Sequence, residues 1–421
     1  MTQPRRLAQG RPSRLHLFQA FGVELEYMIV DKITLNILPI ADELLKAELG
    51  KYGSDFENGP VTWSNELVSH VIEIKATKPE SDLHALQRSF MENVSRINEV
   101  LAQWNAGLLP TASHPWMDPH SETRLWPHDD NEVYEAYNRI FDCRGHGWSN
   151  VQSTHLNLPF YDDEEFAQLH AAIRVVLPLL PALCASSPIL DGQTTGLLNT
   201  RLHYYKTNQQ TIPSITGKVI PEAVFSRRQY RELIYERIRQ DLAPHDHDAI
   251  LDPVWVNSRG AIPRFDRGSI EIRIMDVQEC PAADLAIMSL VIETVRALAH
   301  ERFAKLQSLM HLKTEMLADM LGETVRAGNE ASLQAPEFAS VFGCEAPVKA
   351  SRLWSVIYEN LREKESNGLW KHDSYIRVLL EQGPLAKRML YWLDGDFTRE
   401  RITSLYRCLM DCLAENRMLT R

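Results

Sequence analysis

Four segments of the chain alternate between aliphatic and chemically active residues, and this pattern restricts the folds that the chain can adopt. The segments are Phe21 to Val30, Val68 to Ala76, Gln152 to Pro159 and Ser269 to Asp276. Side chains along a β-strand point alternately to opposite faces. Each segment is therefore predicted to be a strand with one aliphatic face, suited to packing against helices, and one face that carries acids, a histidine or an arginine.

The polar faces of the four strands point to metal chemistry. Their predicted members are Glu24, Glu26, Glu73, His155, Asn157, Glu271 and Arg273. If the strands are neighbours, carboxylates this close together raise one another's pKa or require cations. Carboxylate oxygens with a histidine suit Mg²⁺ or Mn²⁺ better than zinc, and Mg²⁺ usually enters protein sites together with phosphates. The alternative interpretation is an antiparallel sheet with one solvated face.

The remaining elements favour an α+β fold. Apolar residues at helical spacing from Leu83 to Trp104 predict an amphipathic helix of about six turns. No regular βαβ rhythm is present, and neither is a GxGxxG or GxxxxGK[ST] motif. A loop-rich segment is expected at residues 111–150. Further helices are expected at residues 41–50, 163–180, 227–240 and from 282 to the C-terminus, with a break near 327–347.

Composition excludes some classes of function. The 421 residues carry a formal net charge of −11, which argues against nucleic acid as the main partner because phosphate binding needs a basic surface. The most apolar stretch, residues 175–190, contains three prolines and is too short to span a membrane. Six scattered cysteines without a CxxC pair predict free thiols in a cytoplasmic protein. A metal or redox role for Cys408 and Cys412 stays open.

A set of motifs in fixed order carries a family resemblance. The motifs are FGVELEYMIVD (21–31), HVIEIKAT (70–77), SHP (113–115), THLNLP (154–159), ALCASSPILDGQTTGLLNTR (182–201) and GSIEIRIMD (268–276). With these motifs, the chain resembles the glutamate–cysteine ligase type 2 family, particularly its carboxylate–amine ligase branch, over roughly residues 20 to 300.

The resemblance implies a glutamine-synthetase-like fold: a curved antiparallel sheet backed by helices, with an open funnel over its other face. It also implies that ATP and Mg²⁺, or Mn²⁺, bind in the funnel. The implied metal ligands are Glu24, Glu26, Glu73, His155 and Glu271, and Glu24, Glu26 and Arg273 are the implied nucleotide-binding residues. Arg273 would neutralise the transferred phosphoryl group, and Arg201 would hold the substrate's carboxylate or phosphate.

The implied reaction is ATP-dependent ligation of a carboxylate, with glutamate expected, to an amine through an acyl phosphate. Phosphoryl transfer needs alignment and charge neutralisation, which metal ions and arginines supply. Cysteine is the default amine, and another amino acid or small amine is an alternative. Two further alternatives are a phosphotransferase of the guanidino-kinase type and a non-catalytic ATP- and metal-binding member of the family.

The sequence departs from the family pattern at two places. Asn157 occupies the position of a second histidine, and asparagine is a poorer magnesium ligand. An Arg-Pro pair is missing before the fourth strand, where Arg259, Arg264 and Arg267 are candidate substitutes. Glu66 is a candidate for an additional ligand.

The chain is expected to have three parts. Residues 1–18 form a flexible Arg-rich arm, for which an organelle-targeting role is the alternative. Residues 19–305 form the catalytic domain, and residues 306–421 form a helical region that packs on it. Packing or oligomerisation is the expected role of that region, and a homo-oligomer is expected.

Overall fold

The structure is a computed structural model that describes residues 14–129, 131–362 and 368–421. Most of the predicted arm, including Arg5, Arg6 and Arg11, lies outside the described residues. The part of the arm that is described makes contacts: the guanidinium of Arg14 donates to the carbonyl oxygen of Tyr161, and Phe18 is buried.

The strands and helices follow one another irregularly along the chain. The strands are β1 (Gly22–Asp31), β2 (Asp55–Asn58), β3 (Val61–Asn65), β4 (Val71–Ala76), β5 (Ala106–Leu109), β6 (Ser153–Pro159), β7 (Ile189–Leu190), β8 (Gln193–Thr194), β9 (Ala261–Arg264), β10 (Ser269–Asp276), β11 (Ser332–Leu333) and β12 (Val348–Lys349). The helices are α1 (Ala41–Leu49), α2 (Leu83–Leu101), α3 (Pro119–Glu122), α4 (Asn131–Phe141), α5 (His146–Ser149), α6 (Asp163–Val176), α7 (Pro181–Cys184), α8 (Thr200–Thr207), α9 (Arg227–Tyr230), α10 (Glu236–Leu242), α11 (Pro253–Val256), α12 (Pro281–Ala299), α13 (Leu306–Met310), α14 (Thr314–Ala327), α15 (Pro336–Ala339), α16 (Ala350–Arg362), α17 (Asp373–Gln382), α18 (Leu385–Leu393) and α19 (Arg399–Glu415).

Eight strands form one antiparallel sheet in the order β2-β3-β4-β1-β6-β10-β9, and β5 pairs with the far end of β1. The four predicted motif strands correspond to β4, β1, β6 and β10, which are consecutive in the sheet. Their predicted positions are confirmed to within three residues at each end. The predicted α+β class is therefore visible in the arrangement of the sheet and helices.

The aliphatic face of the sheet forms the main core. Val23, Leu25 and Tyr27 of β1 are fully or almost fully buried there with residues of α2, α6 and α12. Two of these helices have clear start signals. The side chain of Asp82 caps α2 by accepting from the backbone N–H groups of His84 and Ala85, and Pro281 occupies the first turn of α12.

A second core lies on the polar side of the sheet, beyond the acidic residues. Met28 and Val30, which share a strand face with Glu24 and Glu26, pack there against Leu405 of α19 and other residues of the C-terminal helices. The C-terminal region thus covers one end of the polar face and leaves the acidic part open. No helix among the described residues is both long and apolar enough to cross a bilayer.

One prediction about the elements was wrong. The segment 111–150 was predicted to be loop-rich, but its described residues include three helices, of which α4 is amphipathic and packs Tyr134, Tyr137 and Ile140 against the core. The predicted helix at 227–240 is confirmed, with a π-helical turn at Arg231–Tyr235 inside it. Strands β2, β3, β5 and β9 were not predicted, because four or five residues are too few for a period of two to be recognised.

Candidate active site

The register of the sheet brings the predicted site residues onto one face. Glu26 of β1 lies opposite Glu73 of β4, and Glu24 lies opposite His155 of β6. On the other side of β6, Asn157 lies opposite Glu271 of β10. Residues directly opposite on antiparallel strands have Cβ atoms about 5 Å apart. The hypothesis that the four polar faces adjoin is therefore confirmed.

Three of the five predicted metal ligands form a tight cluster. Glu24, Glu73 and His155 each offer one ligand atom, and these atoms all lie within 4.8 Å of one another. His155 Nδ1 is 2.9 Å from Glu24 Oε2, and Ser153 Oγ lies 2.9 Å from His155 Nε2. The imidazole is therefore held between a carboxylate and a hydroxyl, which fixes the orientation of its ring.

The electrostatics of this cluster show an excess of negative charge. Burial and then the charge of Glu24 raise the pKa of Glu73 to about 7. Burial opposes the charging of His155, but the hydrogen bond that its ring donates to Glu24 and the charge of Glu26 raise its pKa to about 9. For Glu24, the effect of burial is outweighed by the hydrogen bond and charge of His155, so its pKa falls to about 2.

Glu66 belongs to the same acidic group. Burial raises its pKa well above the ordinary value, and the neighbouring charges of Glu26 and Glu73 raise it further. Carboxylates that retain protons because of like charges nearby favour a divalent cation in the protons' place. The donor set of carboxylate oxygens and one imidazole fits Mg²⁺ or Mn²⁺. The residues present therefore fit the implied metal.

The other two predicted ligands have partners within the protein. Glu26 accepts from the backbone N–H of Ser153 at 2.7 Å and from its hydroxyl at 3.0 Å, and it lies 3.7 Å from His155 Nε2. Glu271 lies 3.0 Å from Nε of Arg273, two residues along β10. Glu26 is thus next to the cluster, whereas Glu271 is engaged by an arginine. Their roles as metal ligands stay predictions.

A β-bulge positions Arg273. The pairing of β10 with β6 shifts between Ile272 and Met275, so that Arg273 and Ile274 together stand opposite His155. Bulges add one residue to a strand and redirect side chains, often beside active sites. Burial lowers the pKa of Arg273, but the charges of Tyr205, Glu271 and Glu24 outweigh it and raise the pKa above its ordinary value. Arg273 is therefore a permanent cation beside the acidic cluster.

Arg201 lies at the edge of the site and is bound by the protein itself. Its Nε donates to Asp276 Oδ1 at 2.7 Å, and its Nη2 donates to the carbonyl oxygens of Arg273 and Met275. Asp276 also accepts from Ser186 and Ser187 of the ASSP segment. These bonds give Arg201 a structural role, and a substrate-binding role for this residue stays a prediction.

Lys75 is a site residue that the sequence reasoning missed. It follows Glu73 by two residues on the same strand face and lies opposite Glu24. Its Nζ is 3.0 Å from Glu73 and 3.4 Å from Asp55. Burial lowers the pKa of Lys75, but the charges of Glu73 and Asp55 outweigh it and raise the pKa. The sequence contained the signal for this residue, because Lys75 follows Glu73 by two residues and so lies on the same strand face.

Two cavities flank the acidic cluster on the same sheet face. The first, about 450 Å³, is lined by Arg14, Leu15, Ala20, Gly22, Glu24, Lys75, Ala76, Thr77, Pro79, Asn157, Pro159, Asp266, Arg267, Gly268 and Ser269. The second, about 170 Å³, includes Glu26, Glu66, Tyr137, Trp148, Ser153, His155, Arg201, Tyr205, Trp255 and Arg273. Glu24 and Glu26, two residues apart on β1, therefore face different cavities.

The structure gives contacts to the residues at which the sequence departs from the family pattern. Asn157 Nδ2 donates to Glu24 Oε1 at 3.2 Å and thus orients a cluster carboxylate. Among the candidate arginines, Arg259 is buried in a two-bond contact with Glu222, and Arg264 lies 3.6 Å from Asp266. Arg267 lines the larger cavity.

Three further polar and aromatic residues of the segment 111–150 have structural contacts. The buried ring of His114, in the SHP motif, binds the carbonyl oxygen of Leu35 through Nε2 at 2.7 Å. His146 lies between Asn150 and Asp191. The ring of Trp126 is buried in the main core. These contacts account for the positions of the three side chains, so a role in binding is not needed to explain them.

A comparison with protein families identifies the chain. The model of glutamate–cysteine ligase family 2 (GCS2) matches residues 20–396. The chain belongs to this family. The resemblance seen in the motifs is confirmed, and with it the expectation of a carboxylate–amine ligase of the glutamate–cysteine ligase type.

Relatives extend over most of the chain. A protein of Archaeoglobus fulgidus, which bears no functional name, is 33% identical over 94% of this chain and 98% of its own length. A protein of Bradyrhizobium sp. (strain ORS 278), provisionally named glutamate–cysteine ligase 2, is 27% identical over 73% of this chain. The match with the second relative spans 66% of that protein's length.

Solved structures share the fold. The glutamate–cysteine ligase of Francisella tularensis, crystallised with AMP, superposes with a TM-score of 0.58 at 11% identity and covers 94% of this chain and 88% of its own. A bifunctional glutathione synthetase of Pasteurella multocida gives a TM-score of 0.61 at 14% identity and covers 95% of this chain and 53% of its own. The predicted glutamine-synthetase-like fold is thereby confirmed.

Proposed function

We propose that the chain is an ATP- and Mg²⁺-dependent ligase that joins a glutamate-like carboxylate to an amine through an acyl phosphate. The observation that carries this proposal is the cluster of Glu24, Glu73 and His155, which lies between two cavities on one sheet face in a GCS2 protein. A reaction between ATP and a second substrate needs two adjoining compartments with charge neutralisation where they meet. The cluster and the two cavities have this arrangement.

The larger cavity is suited to the nucleotide. Leu15, Ala20 and Pro159 supply apolar surface for a base, while Lys75 and Arg267 supply positive charge for phosphates. The glutamate–cysteine ligase of Francisella tularensis, which shares the fold, was crystallised with AMP. ATP is therefore assigned to this end of the sheet face, with its phosphates toward Glu24.

The acidic cluster is the assigned metal site. Glu24, Glu73 and His155 would hold Mg²⁺, and Glu26 and Glu271 are adjacent candidates for further ligands. When bound, the ion supplies neutralisation of phosphate charge and alignment of the transferred group. The protein contributes the fixed orientation of the imidazole, which is set by its contacts with Glu24 and Ser153.

The smaller cavity is suited to the carboxylate and the amine. A carboxylate oxygen attacks the γ-phosphorus, the bond to the β–γ bridging oxygen breaks, and ADP leaves. Arg273, a permanent cation at the border of the cavity, stabilises the charge that develops on the transferred group. The amine nitrogen then attacks the acyl carbon, phosphate leaves, and an amide remains.

Glutamate is the proposed acid, and cysteine is the default amine. The smaller cavity, about 170 Å³ with Trp148, Tyr205 and Trp255 in its lining, suits a small amine or amino acid. Another small amine is therefore the alternative second substrate. The oligomeric state expected from the sequence remains a prediction.

The deciding experiment incubates the purified chain with ATP, Mg²⁺, glutamate and a pool of amino acids and small amines. Mass spectrometry identifies new amides while ADP is quantified. An amide formed in equal amount to ADP supports the proposal and names the amine. Glutamate-dependent ADP without an amide supports the acyl-phosphate step and shows that the amine was missing from the pool. A folded sample that binds Mg–ATP but forms no ADP would contradict the proposal and favour a non-catalytic member.

A further inference from the structure

A separate cavity of about 640 Å³ lies on the helical side of the molecule. Its lining comes from the start of α2, the end of α12, the 3₁₀ turn Leu369–His372 and the segment around Phe18 and Phe21. Phe21 belongs to the main core beneath the sheet, whereas Glu24 faces the opposite side. The cavity is therefore distinct from the two that flank the acidic cluster, and its volume suits a small metabolite.

The lining of this cavity is rich in positively charged residues for a chain of net charge −11. Arg296, Arg302 and Lys371 contribute three permanent cations against the two carboxylates Asp82 and Glu293. His84, His300 and His372 complete its polar lining.

The carboxylates in the cavity are already engaged. Arg296 Nε lies 3.1 Å from Glu293, and Lys371 Nζ lies 3.5 Å from Asp82, whose side chain also caps α2. Arg302 has only a long contact, 3.4 Å, to the carbonyl oxygen of Asn360 and makes no ion pair with any described residue. Arg302 and the loosely paired Lys371 are therefore the cations available to a ligand.

A buried histidine beside the cavity has a ring nitrogen without a hydrogen-bond partner. His372 lines the cavity and is only 2% exposed, yet its Nδ1 has no hydrogen-bond partner among the described residues. The neighbouring His84, whose ring is 6.1 Å away, has an unpartnered Nδ1 as well. Buried polar atoms in native proteins almost always have partners, and a ligand in the cavity would lie against both rings.

Asp82, Leu83 and His84 at the N-terminus of α2 border the cavity, and the Asp82 carboxylate already caps this helix. A phosphate or carboxylate group in the cavity would therefore be held by the cations Arg302 and Lys371 rather than by the helix terminus.

We propose that this cavity binds a small metabolite through an oxyanion group, either a phosphate or a carboxylate. The proposal does not depend on the ligase function, since no residue of the acidic cluster contributes to it.

The test measures binding of inorganic phosphate, citrate and glutamate to the full chain by isothermal titration calorimetry. Wild type is compared with the double variant Arg302→Ala/Lys371→Ala, which removes two exposed cations from the cavity. The matched control, Lys51→Ala/Arg352→Ala, removes the same charge from exposed positions elsewhere. Retained thermal stability verifies the fold of each variant.

We expect at least one probe to bind wild type and the control equally and the cavity variant at least about tenfold more weakly, as for charge-assisted bonds. Preference for phosphate over citrate and glutamate assigns the group as a phosphate, and the reverse preference assigns it as a carboxylate. Equal binding of every probe to both double variants would place the binding elsewhere and overturn the proposal. Failure of wild type to bind any probe at millimolar concentration would overturn it too.

Discussion

At the scale of single residues, the site is defined by a charge imbalance on one sheet face. Glu73 and Glu66 retain protons more readily than isolated carboxyl groups because other acids surround them. Lys75 and Arg273 offset part of this negative charge from within the protein. The remaining excess of negative charge distinguishes this face from an ordinary solvated sheet face, on which acidic side chains have no reason to cluster.

Glu73→Gln tests whether this imbalance serves metal binding. Gln has the same shape but no charge, so the variant should lose ADP formation while keeping the fold. In wild type, Mg²⁺ at about 100 times its Kd should raise the free energy of unfolding by about 2.7 kcal/mol. The variant should lose most of this stabilisation, as measured by thermal unfolding with and without Mg²⁺.

Glu57→Gln is the matched control for Glu73→Gln, because Glu57 is exposed on β2 of the same sheet. It should leave both the activity and the Mg²⁺ effect unchanged. If Glu73→Gln retained wild-type activity and Mg²⁺ stabilisation, Glu73 would not be a metal ligand.

Arg273→Lys separates catalysis from binding. Lysine keeps the charge but loses the planar fork of donors, so we expect ADP formation to slow by about 10²–10³-fold while the Kd for ATP changes little. Single-turnover kinetics and ATP titration measure the two quantities. The control is Arg237→Lys, at an exposed position on α10. A large loss of ATP affinity at an unchanged phosphorylation rate would make Arg273 a recognition residue.

At the scale of elements, the strands of the site were predictable and their surroundings were only partly so. Alternation in β1, β4, β6 and β10 identified both the strands and the residues on their polar face. The bulge in β10 was not predictable, because the extra residue between Ile272 and Met275 preserves the local pattern and appears only when β6 pairs with it. Short strands such as β3 carry too few residues for a period of two to be recognised.

The helices behind the sheet contribute a dependence of stability on pH. His170 of α6 is fully buried and stacks on Phe166. Burial, and secondarily the charge of Arg174, lower its pKa from 6.5 to about 3. The unfolded chain therefore binds a proton below pH 6.5 that the folded chain does not. This group costs the folded state no stability above that pH and lowers its stability progressively from pH 6.5 to about 3.

His170→Phe should reduce this acid sensitivity. At pH 4.5, His170 binds a proton in the unfolded wild type but not in the folded protein. This difference lowers the free energy of unfolding of wild type by about 2–3 kcal/mol, a loss that the variant does not have. The free energy of unfolding in urea should thus fall less between pH 7 and 4.5 in the variant. His311→Phe, at an exposed position, should show the wild-type slope. Equal slopes in all three proteins would show that His170 is protonated in the folded state as easily as in the unfolded chain.

At the scale of the whole molecule, the last two helices, α18 and α19, cover one end of the polar face of the sheet. The sequence predicted that residues 306–421 pack on the rest of the chain but not which face they cover. The second core gives the reason: Met28 and Val30 extend the polar face of β1 with apolar side chains, and Leu405 and Leu409 of α19 cover them. The change from acids to aliphatic residues along one strand face thus divides the site from the packed end.

A buried ion pair fastens this region to the main core. The side chains of Arg388 in α18 and Glu279, just before α12, are fully buried. Arg388 Nη1 donates to Glu279 Oε1 and to the carbonyl oxygen of Leu419, and the backbone N–H of Leu419 donates to the same carboxylate. The pair therefore joins α18, the C-terminal segment and the chain entering α12.

Arg388→Met should lower the free energy of unfolding by about 3–5 kcal/mol, because it leaves the carboxylate of Glu279 buried without its cation. The double variant Arg388→Met/Glu279→Met removes both charges and should recover most of that loss. Arg237→Met breaks an exposed pair with Asp241 and should cost less than about 1 kcal/mol. Urea unfolding measures all four proteins, including wild type.

Calorimetry of Arg388→Met also shows whether the C-terminal region is energetically part of the catalytic unit. Since the second core joins Leu405 and Leu409 to Met28 and Val30, loss of the ion pair should lower the temperature of one cooperative transition. The open acidic face should then lose Mg²⁺ binding at the same temperature. An early separate transition, with Mg²⁺ binding retained above it, would instead mean that residues 306–421 unfold independently and that the sheet maintains its site without their cover.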